Sequence, residues 1–120
     1  MRKVKTTNPE LVKLIRFLRK QSNENEVAIW KDIAERLVKP RSNRPAVNVS
    51  RLNRYTHEDE VVVVPGKVLS TGEISHPITV AALAFSEKAK EKIYASKGKC
   101  LSFAELVKNN PKGSNIKIIG

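Results

Sequence analysis

Apolar residues recur at helical spacing in the first third of the chain. One stripe consists of Leu11, Leu14, Ile15 and Leu18, and a second consists of Trp30, Ile33, Ala34 and Leu37. Residues three and four apart share a helix face, so the stripes predict two amphipathic helices, the first over about 9–21. Thr7 and Glu10 have capping-box spacing, and Pro9 suits the first turn. Pro40 ends the second helix, because the residue before a proline avoids the α region.

The next stretch of the chain is irregular. Residues 39–46 predict a loop, because two prolines and a Ser-Asn pair interrupt regular structure. Val47 and Val49 then alternate with the polar residues Asn48 and Ser50. This alternation predicts either a short, half-buried strand or an irregular turn.

The second half is richer in β-branched residues and predicts strands between short helices. Residues 60–64 are extended, Pro65-Gly66 forms a turn, and residues 78–85 form an apolar strand that is buried on both faces. A helix follows over 87–96. Ser86 caps this helix, and its inward-facing residues are Ala89, Ile93 and Tyr94.

A short helix over 102–109 and a last strand at 116–119 complete the pattern. The predicted class is α/β, with N-terminal helices and a basic loop followed by a compact core of strands alternating with short helices. The length of 120 residues suits a single domain. Its expected parts are an N-terminal helical part (1–38), a basic segment (39–56) and an α/β core (57–120).

The charge of the chain changes this picture, because it points to a polyanionic partner. The net charge is +11 and the isoelectric point is near 10.1. Residues 1–56 carry 14 basic and five acidic side chains, whereas residues 57–120 carry nine and seven. An excess of this size repels itself unless a polyanion neutralises it, so the N-terminal half is expected to face the anion.

The strongest local signal is a basic segment without acidic residues. Between positions 36 and 54 it contains Arg36, Lys39, Arg41, Arg44, Arg51 and Arg54. Arginine forks suit bidentate phosphate contacts, and Asn43, Asn48 and Asn53 add neutral donors and acceptors. A solvated basic surface is the alternative, but the absence of acidic residues favours nucleic acid.

Three further basic turns are weaker candidates for RNA contact. Lys67 follows Gly66, but the chain lacks the other residues of a phosphate-binding loop, so a lysine on RNA backbone is favoured. Lys97 and Lys99 flank a glycine at a helix end, where a structural role and RNA contact are equally balanced. Lys112 is similar to them and weaker.

Other chemistries are poorly supported. The acidic run at 57–60 predicts a solvated turn. Cys100 is expected to be a small buried apolar residue. No catalytic, metal or cofactor signature is evident, so neither an enzyme nor a small-molecule substrate is expected. Every apolar run is too short to span a membrane. Tyr55 is the single base-stacking candidate, because the other aromatics are expected in the core: Phe17, Trp30, Phe85, Tyr94 and Phe103.

Several ordered segments of the chain match one known family. They are residues 14–18 (Leu-Ile-Arg-Phe-Leu), 41–45 (Arg-Ser-Asn-Arg-Pro) with Ser50-Arg51, 62–67 (Val-Val-Val-Pro-Gly-Lys), 82–86 (Ala-Leu-Ala-Phe-Ser), 98–103 (Gly-Lys-Cys-Leu-Ser-Phe) and 110–113 (Asn-Pro-Lys-Gly). In this order they resemble large-subunit ribosomal protein eighteen of archaea and eukaryotes. That family is related to bacterial large-subunit ribosomal protein fifteen.

The resemblance implies a structural component of the large ribosomal subunit in the cytoplasm. Its expected partners are large-subunit rRNA and neighbouring large-subunit proteins. By position, Arg41, Asn43, Arg44 and Arg51 are its best RNA contacts. The sequence stops at Gly120, without the long basic extension of eukaryotic members, which favours the archaeal form. A free-standing RNA- or DNA-binding protein is the alternative, and a small enzyme is a third reading.

Overall fold

A computed structural model describes residues 8–39 and 44–120. Along the chain, the described elements are α1 (Pro9–Asn25), α2 (Ile29–Val38), β1 (Ala46–Asn48), α3 (Val49–Tyr55), β2 (Val61–Leu69), β3 (Thr79–Phe85), α4 (Glu87–Ala95), β4 (Lys99–Leu101), α5 (Phe103–Asn109) and β5 (Ile116–Ile118). The fold is mixed α/β, as predicted. In the part of the chain that is described, no helix has both the length and the apolar composition needed to cross a membrane.

The described residues divide into two units. The helical unit consists of residues 8–39, Arg44 and Ala104–Ser114, and the sheet unit consists of Pro45–Phe103 and Asn115–Gly120. The prediction of a single domain stays a prediction.

In the helical unit, α1 is capped by Asn8. Its side-chain oxygen accepts from the backbone N–H groups of Glu10 and Leu11 at 3.0 and 3.5 Å. The cap predicted at Thr7 lies outside the described residues. Helix α1 runs four residues past its predicted end and stops where Glu26 adopts a left-handed conformation (φ 54°). The polar last turn stays helical because the Asn25 amide donates to the carbonyl of Gln21 at 2.9 Å.

Helices α1 and α2 pack on each other. Their buried apolar residues are Leu11, Ile15, Leu18, Trp30, Ile33, Ala34 and Leu37. Leu14, expected in the same stripe, is only half-buried. An ion pair between Arg19 and Glu35 at 2.9 Å joins the two helices, and the predicted pairing of Arg36 with Asp32 is present at 3.3 Å.

In the sheet unit, the described strands form one parallel sheet in the order β1-β2-β3-β4. Strand β5 also pairs with β2, so β1 and β5 share one edge of that strand. Strand β5 lies along Val61–Val63, and β1 lies along Lys67–Leu69. Strands β1 to β4 are each joined to the next by a crossover, as parallel pairing requires, whereas β5 returns from β4 to pair with β2.

The turn predicted at Pro65-Gly66 is wrong. Both residues lie inside β2, in an irregularity between Val64 and Lys67 that shifts the register with β3. A proline is tolerated at a bulge because it has no N–H to donate to the ladder. The backbone of Pro45 approaches Gly66 so closely that a Cβ there would lie 2.0 Å from the Pro45 carbonyl oxygen.

One face of the sheet carries the main core of this unit. Its buried residues come from strands β1, β2 and β3, from α3 and α4, and from the residues just before β3 and just after β5: Val47, Val49, Leu52, Val62, Val64, Val68, Ile78, Val80, Ala82, Ala89, Ile93 and Ile119. Ser86 caps α4 as predicted, with its hydroxyl accepting from the Ala89 N–H at 3.2 Å. Strand β3 is not buried on both faces throughout, because Ala84 near its carboxyl end is exposed.

Candidate nucleic-acid interface

Helix α3 lies at the centre of the basic segment, where the sequence predicted a strand or an irregular turn. Strand β1 takes up only Ala46–Asn48, and the chain turns helical at Val49. Val49 and Leu52 are three residues apart and both fully buried, which anchors one face of the helix in the core. Arg51 and Arg54 lie on the opposite face and are exposed.

Both arginines lie beside the Tyr55 ring. The guanidinium carbons of Arg51 and Arg54 are each 5.9 Å from the ring centroid. The Tyr55 side chain is also unusual in its exposure, at 52%. Among residues 8–39 and 44–120, no carboxylate forms an ion pair with either arginine. We call Arg51, Arg54 and Tyr55 the α3 cluster.

The backbone beneath the α3 cluster is held by side chains from elsewhere in the sheet unit. Lys117 on β5 donates to the Tyr55 carbonyl at 2.9 Å and forms an ion pair with Glu60 at 3.1 Å. The backbone N–H of His57 and the Lys117 ammonium lower the pKa of Glu60. The buried hydroxyl of Thr56 donates to the Leu52 carbonyl at 2.6 Å.

Two asparagines expected to add donors and acceptors for RNA also have contacts within the fold. The side-chain oxygen of Asn48 accepts from the Thr71 N–H at 3.3 Å, and that of Asn53 accepts from the N–H and hydroxyl of Ser75, both at 3.0 Å. These bonds fasten the loop after β2 to the end of β1 and to helix α3. They engage the side-chain oxygens of both residues, not their amide N–H groups.

The same loop is fastened from its other side by α4. The Lys92 ammonium donates to the carbonyls of Ser70 and Gly72 at 2.8 and 2.6 Å and lies 3.5 Å from the Glu73 carboxylate. Lys92 is therefore a structural lysine despite the high charge of the chain.

Lys67 is exposed at the centre of a row of small residues. Its register partners on β1 and β3 are Ala46 and Ala84, which are also exposed. No hydrogen bond or ion pair of the Lys67 ammonium is present in the part of the chain that is described. The lysine is thus surrounded by small side chains and accessible to a large anion.

Lys97 and Lys99 are exposed but distant from Lys67 within the sheet. Lys99 lies on β4, the edge strand opposite β1, and its register partner is Thr79 on β3. Thr79 precedes Ala84, the partner of Lys67, by five residues, which corresponds to roughly 16 Å along a strand. The structure therefore separates Lys67 from Lys99 within the sheet.

The remaining candidates belong to the helical unit. Lys39 is exposed and Arg44 is half-buried. The Lys112 ammonium donates to the Asn25 carbonyl at 3.1 Å, so it stabilises the end of α1. Arg41 and Asn43 lie outside the described residues.

Sequence reasoning missed α3 and the role of Lys117. The spacing of Val49 and Leu52 is a helical signal, but one turn is too short to outweigh the apparent alternation of Val47 and Val49. No local signal relates Lys117 to Tyr55, because 62 residues separate them. The inward orientation predicted for Tyr94 is wrong, since its side chain is 54% exposed.

The described residues offer little other chemistry. They contain no group of three or more histidines, cysteines or acidic residues that could hold a metal ion. Cys100, expected to be a small buried apolar residue, is half-buried and packs against the core of the sheet unit. Burial raises the pKa of the Cys100 thiol, and a hydrogen bond from Tyr94 opposes that rise.

Comparison with known proteins gives a match along nearly the whole chain. A family model described as "Ribosomal protein 60S L18 and 50S L18e" matches residues 2–120. The "Large ribosomal subunit protein eL18" of Methanothermobacter thermautotrophicus is 52% identical over 119 residues, covering 99% of this chain and 98% of its own. The protein of that name from Archaeoglobus fulgidus is 49% identical over 116 residues, covering 97% and 99%. That from Methanospirillum hungatei is 52% identical over 113 residues, covering 94% and 93%.

Proposed function

Because the chain belongs to the family of ribosomal proteins 60S L18 and 50S L18e, we propose that it is a structural component of the large ribosomal subunit. It binds folded large-subunit rRNA through the basic side chains of its N-terminal half. Its relatives here are archaeal and span nearly all of this chain, in agreement with the resemblance found in the sequence. The role is structural, not catalytic, and its location is the cytoplasmic ribosome.

The observation that carries the RNA-binding part is the α3 cluster. Two arginines are exposed on one short helix without a carboxylate partner among the described residues. Glu60, which follows this helix, pairs with Lys117 and not with either arginine. Arginine without such a partner is suited to bidentate contact with phosphate.

The proposed RNA contacts keep the set suggested by the sequence: Lys39, Arg41, Asn43, Arg44, Arg51, Arg54, Lys67, Lys97, Lys99 and Lys112. Arg51, Arg54 and Lys67 have the strongest support. The two arginines are exposed together on α3 beside Tyr55, and Lys67 is exposed among the small side chains of Ala46 and Ala84. Lys112 has less support, because its ammonium group already donates to the Asn25 carbonyl. Neighbouring large-subunit proteins are the other proposed partners.

A free-standing nucleic-acid-binding protein is not favoured as an alternative. Charge alone fits both accounts equally well. The relatives that cover nearly the whole chain carry the name of a large ribosomal subunit protein, and this favours the ribosomal account.

Binding to deproteinised large-subunit rRNA from Methanothermobacter thermautotrophicus tests the proposal. The variant Arg51→Ala/Arg54→Ala/Lys67→Ala removes three proposed phosphate contacts. The control Lys31→Ala/Lys88→Ala/Lys108→Ala removes the same charge from three other exposed lysines. Each lost phosphate contact lowers the dependence of log affinity on log salt by about one unit, so the first variant loses about three and the control far less.

Two results contradict the proposal. One is wild-type protein that binds the rRNA no better than an unrelated duplex RNA of equal length. The other is an equal loss in the two triple variants, which indicates that overall charge determines affinity. Sedimentation of a cell lysate at high salt then tests whether the protein stays with the large subunit.

A further inference from the structure

Tyr55 is an aromatic side chain that the fold leaves in solvent. It is one of two large apolar side chains in the described residues with about half of their surface exposed, and the other is Tyr94. The two differ in their surroundings. Tyr94 donates a hydrogen bond to the half-buried thiol of Cys100, whereas Tyr55 has two arginines beside its ring.

The two guanidinium groups lie over the Tyr55 ring near the outer limit of cation–π interaction. Their carbon atoms are 5.9 Å from the ring centroid, close to the roughly 6 Å within which such attraction acts. Cation–π attraction at this distance and exposure is weak. Each arginine can therefore turn to a phosphate while the ring stays available for stacking.

From this arrangement we infer that Tyr55 is the stacking platform for one unpaired rRNA base, with Arg51 and Arg54 binding the phosphates on either side of it. The inference rests on the proposed function and specifies one contact within it. A nucleotide supplies a flat base to stack on the Tyr55 ring and a negative charge for the guanidinium groups. Stacking on an exposed aromatic is a common mode of RNA recognition at unpaired bases.

The backbone that carries the platform is fixed before RNA arrives. The Lys117 ammonium holds the Tyr55 carbonyl, and the Thr56 hydroxyl holds the carbonyl of Leu52 one turn earlier. Val49 and Leu52 anchor the helix in the core. Less conformational entropy is then lost on binding, which favours a specific contact over a diffuse one.

The experiment measures affinity for the same deproteinised rRNA, and its salt dependence, with wild-type protein and three variants. Tyr55→Phe keeps the ring, Tyr55→Leu removes it, and Tyr94→Leu removes the other exposed tyrosine. Stacking of one base on an aromatic corresponds to a loss of about 5- to 150-fold on its removal. We expect that loss for Tyr55→Leu with an unchanged salt dependence, and a change within about twofold for Tyr55→Phe and Tyr94→Leu.

The outcomes separate this inference from the proposed function. If wild-type protein binds the rRNA and Tyr55→Leu binds as tightly, the stacking platform is wrong and the proposed function stands. An equal loss for Tyr55→Leu and Tyr94→Leu overturns the assignment to Tyr55. A salt dependence lowered by Tyr55→Leu also overturns it, because the ring would then act by positioning arginines. Failure of wild-type protein to bind removes both proposals.

Discussion

The indole Nε1 of Trp30 donates a hydrogen bond to the carbonyl oxygen of Pro111 at 2.8 Å, across 81 residues of sequence. The Trp30 side chain is fully buried. The bond fastens helix α2 to the turn that follows α5, within the helical unit. It is accompanied by the close approach of Gly113 to Ile29, where an added Cβ would lie 2.4 Å from a side-chain methyl group.

Replacement of Trp30 by phenylalanine tests how much that hydrogen bond contributes to the stability of the protein. Trp30→Phe leaves the Pro111 carbonyl without its partner and removes part of a buried ring. We expect the free energy of unfolding to fall by about 2–3 kcal/mol. Circular dichroism is the suitable probe, because the variant has no tryptophan fluorescence. Phe17→Leu, at a half-buried position, is the control, and we expect its free energy of unfolding to fall by less than about 1.5 kcal/mol. Equal stability of the two variants would contradict the prediction.

Lys92 tests whether a lysine of this basic chain stabilises the fold. Lys92→Met keeps most of the apolar stem but removes the donor to the Ser70 and Gly72 carbonyls. Hydrogen bonds from a charged group predict a loss of about 1.5–3 kcal/mol in denaturant unfolding. Lys88→Met, on the exposed side of the same helix, is expected to change stability by less than about 0.5 kcal/mol. Equal effects of the two substitutions would show that charge, not position, matters.

Gly66 is required by the backbone of Pro45. An alanine Cβ at this position meets the Pro45 carbonyl oxygen, which cannot move without breaking its bond from the Lys67 N–H at 3.0 Å. We expect Gly66→Ala to destabilise the protein by about 3 kcal/mol or more, beyond ordinary overpacking. Lys67→Ala, one residue on and exposed, is the control. A thermal midpoint within experimental error of wild type for Gly66→Ala would contradict the prediction.

The Cys100 thiol gives a prediction about pH. Burial disfavours the thiolate, so the rate of alkylation by iodoacetamide should rise with pH to a midpoint above the ordinary value of 9.0. The Tyr94 hydroxyl stabilises the thiolate by a hydrogen bond. Tyr94→Phe should therefore move the midpoint higher still, whereas Tyr55→Phe should leave it unchanged. A lower alkylation midpoint in Tyr94→Phe than in wild-type protein would contradict the prediction.

Most of the secondary structure was predictable from local pattern. The stripe of Trp30, Ile33, Ala34 and Leu37 is fully buried on α2, and Ser86 caps α4. These predictions succeeded because periodicity over about two turns, or a cap next to its helix, is a local property. The first helix was predicted too short, because its last turn is stabilised by polar contacts that leave no apolar stripe.

The errors fall where tertiary contacts decide. Pro65-Gly66 has the composition of a turn, yet strand pairing on both sides keeps it within β2. In the candidate site, the residue types of the basic segment were predicted, but the sharing of one helix by Arg51, Arg54 and Tyr55 was not. The engagement of Asn48 and Asn53 with a loop more than twenty residues later leaves no local trace.

Strand β2 takes its edge partners from distant parts of the sequence, with β1 along one half and β5 along the other. During synthesis, β1 is available long before residues 116–118 have been made. Until they emerge, the amino half of β2 is an open strand edge on a nascent chain, and open edges recruit other chains. The paired edge is thus the last part of the sheet that translation can complete. A messenger truncated before codon 116 would yield a product with a lasting tendency to aggregate.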